Sequence, residues 1–109
     1  MSTAYLGDDQ APSRAQIDAS KGLTLLEFGT AWCGFCRALA PQVAELVTRH
    51  PQIQHVKVED GPGRPLGRSF GVKLWPNLVF LRDGAVVRQL ARPSHVQLRE
   101  AFEALLAGA

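Results

Sequence analysis

The hydrophobic positions of this chain follow two patterns that alternate along its length. Residues 23–28 form a nearly continuous apolar run, which is typical of a strand buried on both faces. Residues 53–58 predict a second strand. The segment between them has helical spacing and predicts a helix that reaches about Arg49, with Pro41 inside it as a kink. The apolar face of this helix consists of Leu39, Val43, Leu46 and Val47.

The other elements are marked by their ends. Residues 13–16 and 94–97 have the capping-box pattern, which predicts a short helix over about 14–20 and a last helix after residue 94. A further short helix is expected over 66–70. Residues 78–81 and 85–87 flank Asp83-Gly84, a strong hairpin signal. Residues 1–12 are polar and are expected to be loosely ordered, apart from a possible short strand at 3–6.

This order of elements, βαβαβαββα, predicts the fold class. Helices that alternate with buried strands cover both faces of a sheet, and the terminal hairpin adds an antiparallel pair. We therefore expect an α/β protein, a three-layer α/β/α sandwich around a central mixed sheet of four to five strands.

Composition excludes several classes of protein. The 109 residues are 46% apolar and carry a net charge of +2, as expected for one globular domain spanning 1–109. The basic residues do not cluster, so no nucleic-acid partner is expected. No window is apolar enough to cross a membrane, and the N-terminus lacks the pattern of a signal peptide. These features predict a cytoplasmic protein without a membrane partner.

The most informative feature is a Cys-x-x-Cys pair, Cys33 and Cys36, placed where a strand gives way to a helix. The chain has no other cysteine, so it has no disulfide framework of the kind that holds small secreted domains together. A helix N-terminus favours a thiolate and can lower a cysteine pKa from about 8.5 to roughly 3.5–7.5. A thiolate attacks a disulfide, and a second thiol resolves the mixed disulfide. We predict that Cys33 is the nucleophile and Cys36 the resolving thiol.

The cysteine pair has two other interpretations. Inert buried cysteines are one, but Trp32 and Gly34 beside them suit an exposed loop tip. A Cys2His2 zinc site is the other, because the spacing to His50 and His55 is permitted. Pro51 directly follows His50 and the next residues predict a strand, so the two histidines cannot share one helix face. We expect no metal site, and we assign His50 to a helix end and His55 to a strand surface.

The residues Phe28-Gly29-Thr30-Ala31-Trp32-Cys33-Gly34-Phe35-Cys36-Arg37, with Pro41 and a downstream Trp75-Pro76, resemble the thioredoxin superfamily. The resemblance covers residues 23 to about 106. It implies the thioredoxin fold and a thiol–disulfide oxidoreductase that reduces protein disulfides without a metal or organic cofactor.

The resemblance also implies roles for residues outside the pair. Pro76 corresponds to the family's cis-proline, which packs beside the cysteines and exposes the preceding backbone to the substrate chain. Glu27 falls where the family often places a buried acid, which would accept the proton that Cys36 must lose. Lys57 is near the position of the family's acid-pairing lysine, with its register open by one residue.

The sequence departs from the common motif around the pair. Phe35 stands where that motif has a proline, so we expect a less strongly reducing couple than a typical thioredoxin. Leu74 and Trp75 replace a glycine and a small aliphatic residue before the proline, and Ala91-Arg92 replace a Gly-Ala pair. An aromatic lip with one added charge is expected. The residues predicted to bind substrate are Trp32, Gly34, Phe35, Trp75, Pro76 and Arg92.

The sequence therefore predicts a monomeric dithiol–disulfide oxidoreductase. Its expected partners are protein disulfide substrates and a reductase or another dithiol as electron donor. Two alternatives stay open: a binding module that keeps the fold without turnover, and an oxidase or isomerase. Phe35 leaves the second of these open, although a reducing cytoplasm opposes it.

Overall fold

Eight helices and strands follow one another in residues 4–108, the part of the chain that the computed structural model describes. Every helix and strand predicted after residue 12 is present, and the second strand of the hairpin is longer than expected. The bounds are α1 Arg14–Asp18, β1 Leu23–Gly29, α2 Gly34–Arg49, β2 Ile53–Glu59, α3 Pro65–Ser69, β3 Asn77–Arg82, β4 Ala85–Ala91 and α4 His95–Ala107.

The four strands form one mixed sheet in the order β2-β1-β3-β4. β1 is parallel to β2 and antiparallel to β3, and β3 pairs antiparallel with β4. The predicted N-terminal strand is reduced to one parallel bridge between Leu6 and Val58. Its first predicted position, residue 3, lies outside the described residues. The sheet thus has four strands, the smaller of the two numbers that the sequence predicts.

The sheet is covered on both faces, which confirms the three-layer prediction. One core cluster joins Leu25 of β1 to side chains of α2 and α4, such as Val43 and Phe102. A second cluster joins Leu26 to Ile17 of α1 and to α3. All seven residues of β1 are buried because the strand contributes to both clusters in alternation. The residues of β1 that face α2 and α4 alternate with Leu26 and include Glu27.

The ends of the elements follow the predicted local chemistry. Ser13 and Ser94 form complete capping boxes at the starts of α1 and α4. In the hairpin, Asp83 and Gly84 have φ of 51° and 80°, the left-handed conformations that a two-residue turn between strands requires. Among the helices in the described part of the chain, none combines the length and the apolar character needed to cross a bilayer.

Candidate active site

The cysteine pair lies at the start of α2, just after the loop that follows β1. Cys33 is the N-cap of α2, and its sulfur accepts a hydrogen bond from the backbone N–H of Cys36, with the two atoms 3.2 Å apart. Both cysteines are free thiols. An N-cap side chain accepts from the first-turn N–H groups of a helix, so the Cys33 sulfur occupies the place where a negative charge is best accommodated.

The loop tip around the pair is exposed, but the thiols are not. Trp32 is 73% exposed and Phe35 is 59% exposed, as the sequence suggested. Cys33 keeps 7% exposure and Cys36 only 2%. The expectation that the pair itself sits at the exposed tip is therefore wrong. The physical reason is that Cys33 turns back to cap α2, while Cys36 belongs to the buried side of that helix.

The two thiols differ in their environment. Burial raises the pKa of Cys36 to about 11, and the neighbouring Cys33 adds to this rise. The backbone N–H of Thr30 acts in the opposite direction, because it stabilises the thiolate. Cys36 is thus the thiol that stays protonated at neutral pH, which suits the one that acts second.

Tyr5, which the sequence did not single out as a functional residue, lies against Cys36. Its hydroxyl hydrogen-bonds to the Cys36 sulfur, and burial raises the pKa of the phenol. The Lys57 ammonium lies over the Tyr5 ring, 4.3 Å from its centroid. The segment 1–12 has no pattern that marks Tyr5 as functional, and it is therefore expected to be loosely ordered apart from a possible short strand at 3–6.

A buried acid lies on the same side of the sheet. Glu27 is 1% exposed, and its Oε1 is 2.7 Å from Nε2 of His55. The assignment of His55 to a strand surface is wrong: its side chain is only 9% exposed, because it points with Glu27 toward the α2 layer. Lys57 lies directly opposite Glu27 in the register of β1 and β2, which resolves the one-residue uncertainty in its position.

The histidines of the zinc alternative occupy separate places. His50 is the C-cap of α2, at the opposite end of this helix from the cysteine pair. A helix of 16 residues spans roughly 24 Å, far beyond the reach of a shared metal ion. His55 lies in β2 and is bonded to the buried acid.

The loop before β3 carries the second part of the site. The Trp75–Pro76 peptide bond is cis, as the resemblance implied. The ring of Trp75 meets Trp32 edge-on with centroids 5.7 Å apart, and its Nε1 donates to Asp60 Oδ2 at 2.8 Å. The indole N–H bond to Asp60 fixes Trp75 beside the exposed Trp32, and together they form an aromatic rim.

Arg92 connects this loop to the start of α2. Its guanidinium carbon lies 4.1 Å from the centroid of the Phe35 ring, and its Nε donates to the Trp75 carbonyl oxygen at 2.7 Å. Its backbone N–H also donates to the Pro76 carbonyl oxygen at 2.8 Å. Arg92 has a φ of 49°, a left-handed conformation that favours glycine. A groove of about 170 Å³ lies between the start of α2 and the Pro76 loop. Its lining residues are Phe35, Ala38, Leu39, Pro76, Arg92, Pro93 and His95.

Comparisons with known proteins place the chain among the thioredoxins. The family model described as Thioredoxin matches residues 8–104. Thioredoxin 2 from Pseudomonas aeruginosa PAO1, solved in its reduced form, is 53% identical with a TM-score of 0.84, and the match covers 100% of both chains. Thioredoxin-1 of Caenorhabditis elegans is 32% identical over 78 residues, which are 72% of this chain and 68% of that one. A thioredoxin H-type of Picea mariana is 30% identical over 90 residues, covering 83% and 72% of the two chains.

A dithiol at a helix N-terminus, set in this three-layer fold, defines a protein thiol–disulfide oxidoreductase. The chain belongs to the thioredoxin family, whose model spans nearly its whole length.

Proposed function

We propose that this protein reduces disulfides of other proteins in the cytoplasm, with Cys33 as the attacking thiol and Cys36 as the resolving thiol. The observation that carries the assignment is the N-cap position of Cys33, whose sulfur already accepts the Cys36 N–H. The same bond and the helix dipole stabilise a thiolate at this sulfur. Cys36, whose pKa is raised to about 11, keeps its proton until the second step.

The reaction proceeds in two exchanges. The Cys33 thiolate attacks one sulfur of the substrate disulfide, forms a mixed disulfide and releases the other sulfur as a thiolate. Cys36 then loses its proton and attacks the Cys33 sulfur, which closes the internal disulfide and frees the second substrate thiolate. We propose Glu27 as the acceptor of the Cys36 proton, because it is a buried acid on the face of β1 that α2 covers.

The substrate chain docks across the Trp75–Pro76 loop in this proposal. An extended peptide donates its N–H groups to exposed carbonyls of such a loop, as an added strand does. The Trp75 carbonyl is occupied by Arg92 Nε, so docking displaces that side chain. Gly34 at the start of α2 keeps the approach to the sulfur open, and nothing lies within 4 Å of the position of a Cβ there. Exposed Trp32 and Phe35 supply apolar contact at the rim.

The proposed cycle needs an electron donor as well as a substrate. A reductase or another dithiol returns electrons to the closed disulfide, and the protein works as a monomer without nucleic acid or membrane. An oxidase or isomerase is the second candidate, and Phe35 in place of proline is the observation that favours it. Equilibration with glutathione at defined ratios separates the two, because an oxidase has the higher reduction potential.

Serine variants of the two cysteines test the function. In an insulin-reduction assay, Cys33→Ser is expected to abolish turnover, because the attacking sulfur is gone. Cys36→Ser is expected to stop after one exchange and to accumulate a mixed disulfide on Cys33, detectable by mass spectrometry. Retained turnover in Cys33→Ser contradicts the assignment. Full partner binding and unchanged biological activity in both variants favour the binding module instead.

A further inference from the structure

A tyrosine that precedes the first helix reaches the resolving thiol. A Cβ added at Gly29 would lie 2.6 Å from the Cys36 sulfur and 2.9 Å from the Tyr5 hydroxyl oxygen. Both groups therefore occupy the space that a side chain at residue 29 would fill. The hydroxyl and the sulfur are joined by a hydrogen bond. The glycine at the end of β1 makes room for this pair.

Two sets of contacts hold Tyr5 in place: one to its ring and one to the backbone of the next residue, Leu6. The Lys57 ammonium covers the ring at 4.3 Å. The next residue, Leu6, is anchored to β2 by two backbone hydrogen bonds: its N–H donates to the Lys57 carbonyl at 2.8 Å, and its carbonyl accepts from the Glu59 N–H at 2.9 Å. A single bridge to the sheet thus suffices to hold the tyrosine beside the active site.

The hydroxyl acts as a donor at neutral pH. Burial raises the pKa of Tyr5, and the charges of Glu27 and Cys36 raise it further, so the phenol keeps its proton. An O–H donor stabilises a thiolate more than a thiol, and for Cys36 it acts together with the backbone N–H of Thr30. These two donors oppose the effect of burial, which disfavours the Cys36 thiolate.

We propose that Tyr5 is a positioning residue for the resolving step: its hydroxyl holds the Cys36 thiolate for attack on the Cys33 sulfur. The inference rests on the proposed function of the pair. In that step the bond between the Cys33 and Cys36 sulfurs forms, and the bond from Cys33 to the substrate sulfur breaks. The substrate sulfur leaves with the electron pair and takes a proton from water, while the Cys36 proton has passed to Glu27.

A two-phase reaction with Ellman's reagent measures this step in the full chain. The reduced protein releases one thionitrobenzoate when Cys33 attacks and a second when Cys36 resolves the mixed disulfide. Tyr5→Phe is expected to slow the second phase about 3- to 10-fold, the loss of one hydrogen bond to a thiolate, and to move its pH profile upward. The first phase is expected to stay within about twofold of the wild-type rate, because the Tyr5 hydroxyl contacts the resolving sulfur of Cys36, which does not react in that phase.

The pH profile distinguishes a lost donor from a loosened structure. Other charged groups near the pair come from β1 (Glu27), β2 (Lys57 and Glu59) and α2 (Arg37), and all of them are unchanged in Tyr5→Phe. Phenylalanine keeps the ring under Lys57, and Tyr5→Leu, which removes the ring as well, is the matched comparison. Equal slowing in both variants, with an upward shift in both profiles, assigns the effect to the hydroxyl.

The outcomes separate the two claims. If Tyr5→Phe has the wild-type second phase and pH profile, the role of Tyr5 is refuted and the oxidoreductase assignment stands. If the second phase is present in the wild type and persists in Cys36→Ser, Cys36 does not resolve the mixed disulfide, and both claims fail. A change in Tyr5→Leu alone assigns the tyrosine a packing role and refutes the proposal.

Discussion

The contact between His55 and Glu27 gives the sharpest quantitative prediction. Glu27 is 1% exposed, and its Oε1 lies 2.7 Å from the His55 ring nitrogen. Leucine in place of His55 fills a similar volume but removes the polar partner of this oxygen. The variant His55→Leu therefore leaves an acid in the core with one hydrogen bond fewer, at a position that bulk solvent does not reach.

The magnitude follows from the cost of an unsatisfied buried group. A neutral acceptor that loses its partner costs about 1–3 kcal/mol, and breaking a buried ion pair by removing one member costs about 3–5 kcal/mol. We expect a loss of about 3 kcal/mol in the free energy of unfolding. For a domain of this size, that corresponds to a fall in Tm of roughly 15 °C.

Urea unfolding followed by circular dichroism measures this loss, and His95→Leu is the matched control. His95 is exposed at the start of α4, so its replacement is expected to change the stability by no more than about 0.5 kcal/mol. The double variant with Glu27→Leu is expected to be less destabilised than the sum of the single variants, because both polar groups are gone. A loss below about 1 kcal/mol in His55→Leu refutes the reasoning.

Three further predictions concern single side chains. Gly84→Ala is expected to lower the free energy of unfolding by at least about 2 kcal/mol, because φ is 80° and the new methyl group would overlap the Asp18 carbonyl. Gly22→Ala is the control: φ is 77° but the space around it is open, so the expected loss is about 1 kcal/mol. Equal losses in urea unfolding would contradict this reasoning. Alkylation of Cys36 is expected to rise about tenfold per pH unit toward pH 11, as its raised pKa requires, and a plateau near pH 8–9 by mass spectrometry would be inconsistent with it. Arg92→Gly is expected to lower KM for a peptide disulfide, since it frees the Trp75 carbonyl. The free energy of unfolding is expected to change by no more than about 1 kcal/mol, because relief of the positive φ offsets the lost hydrogen bond. An unchanged or higher KM argues against the docking site.

The elements were predictable because their signals are local. The apolar run in β1, the capping boxes at Ser13 and Ser94, and the Asp83-Gly84 turn each act within a few residues. These signals place helices and strands in order, and the order alone indicates a covered sheet. The cysteine pair was equally visible, because its meaning lies in a spacing of three residues.

The missed features all depend on contacts between distant segments. The partner of Glu27 is His55, two residues before the Lys57 that lies opposite Glu27 in the register of β1 and β2. The 16 residues of α2 separate these two strands in the chain. No local pattern in residues 53–59 shows which of their side chains reaches Glu27. Tyr5 depends on a single bridge to the sheet, and such a bridge has no periodicity to detect. The burial of both thiols follows from how α2 packs on the sheet, a tertiary property.

Phe35 provides the test of the predicted redox poise. It occupies the first turn of α2, where a backbone N–H has no partner within the helix, so proline is tolerated there. Phe35→Pro removes the ring under Arg92 and fixes φ between the cysteines. We expect the reduction potential to fall by about 30 mV, which corresponds to about 1.4 kcal/mol for this two-electron couple.

Equilibration with glutathione, followed by alkylation and mass spectrometry, measures the potential of each variant. Phe35→Ala is the necessary comparison, because it removes the ring and its contact with the Arg92 guanidinium without fixing the backbone. If the potential falls in Phe35→Pro and not in Phe35→Ala, backbone restriction sets the poise. If Phe35→Ala accounts for the whole change, the contact with Arg92 controls it. A potential that rises in Phe35→Pro would show that the aromatic residue already makes this couple the more reducing one.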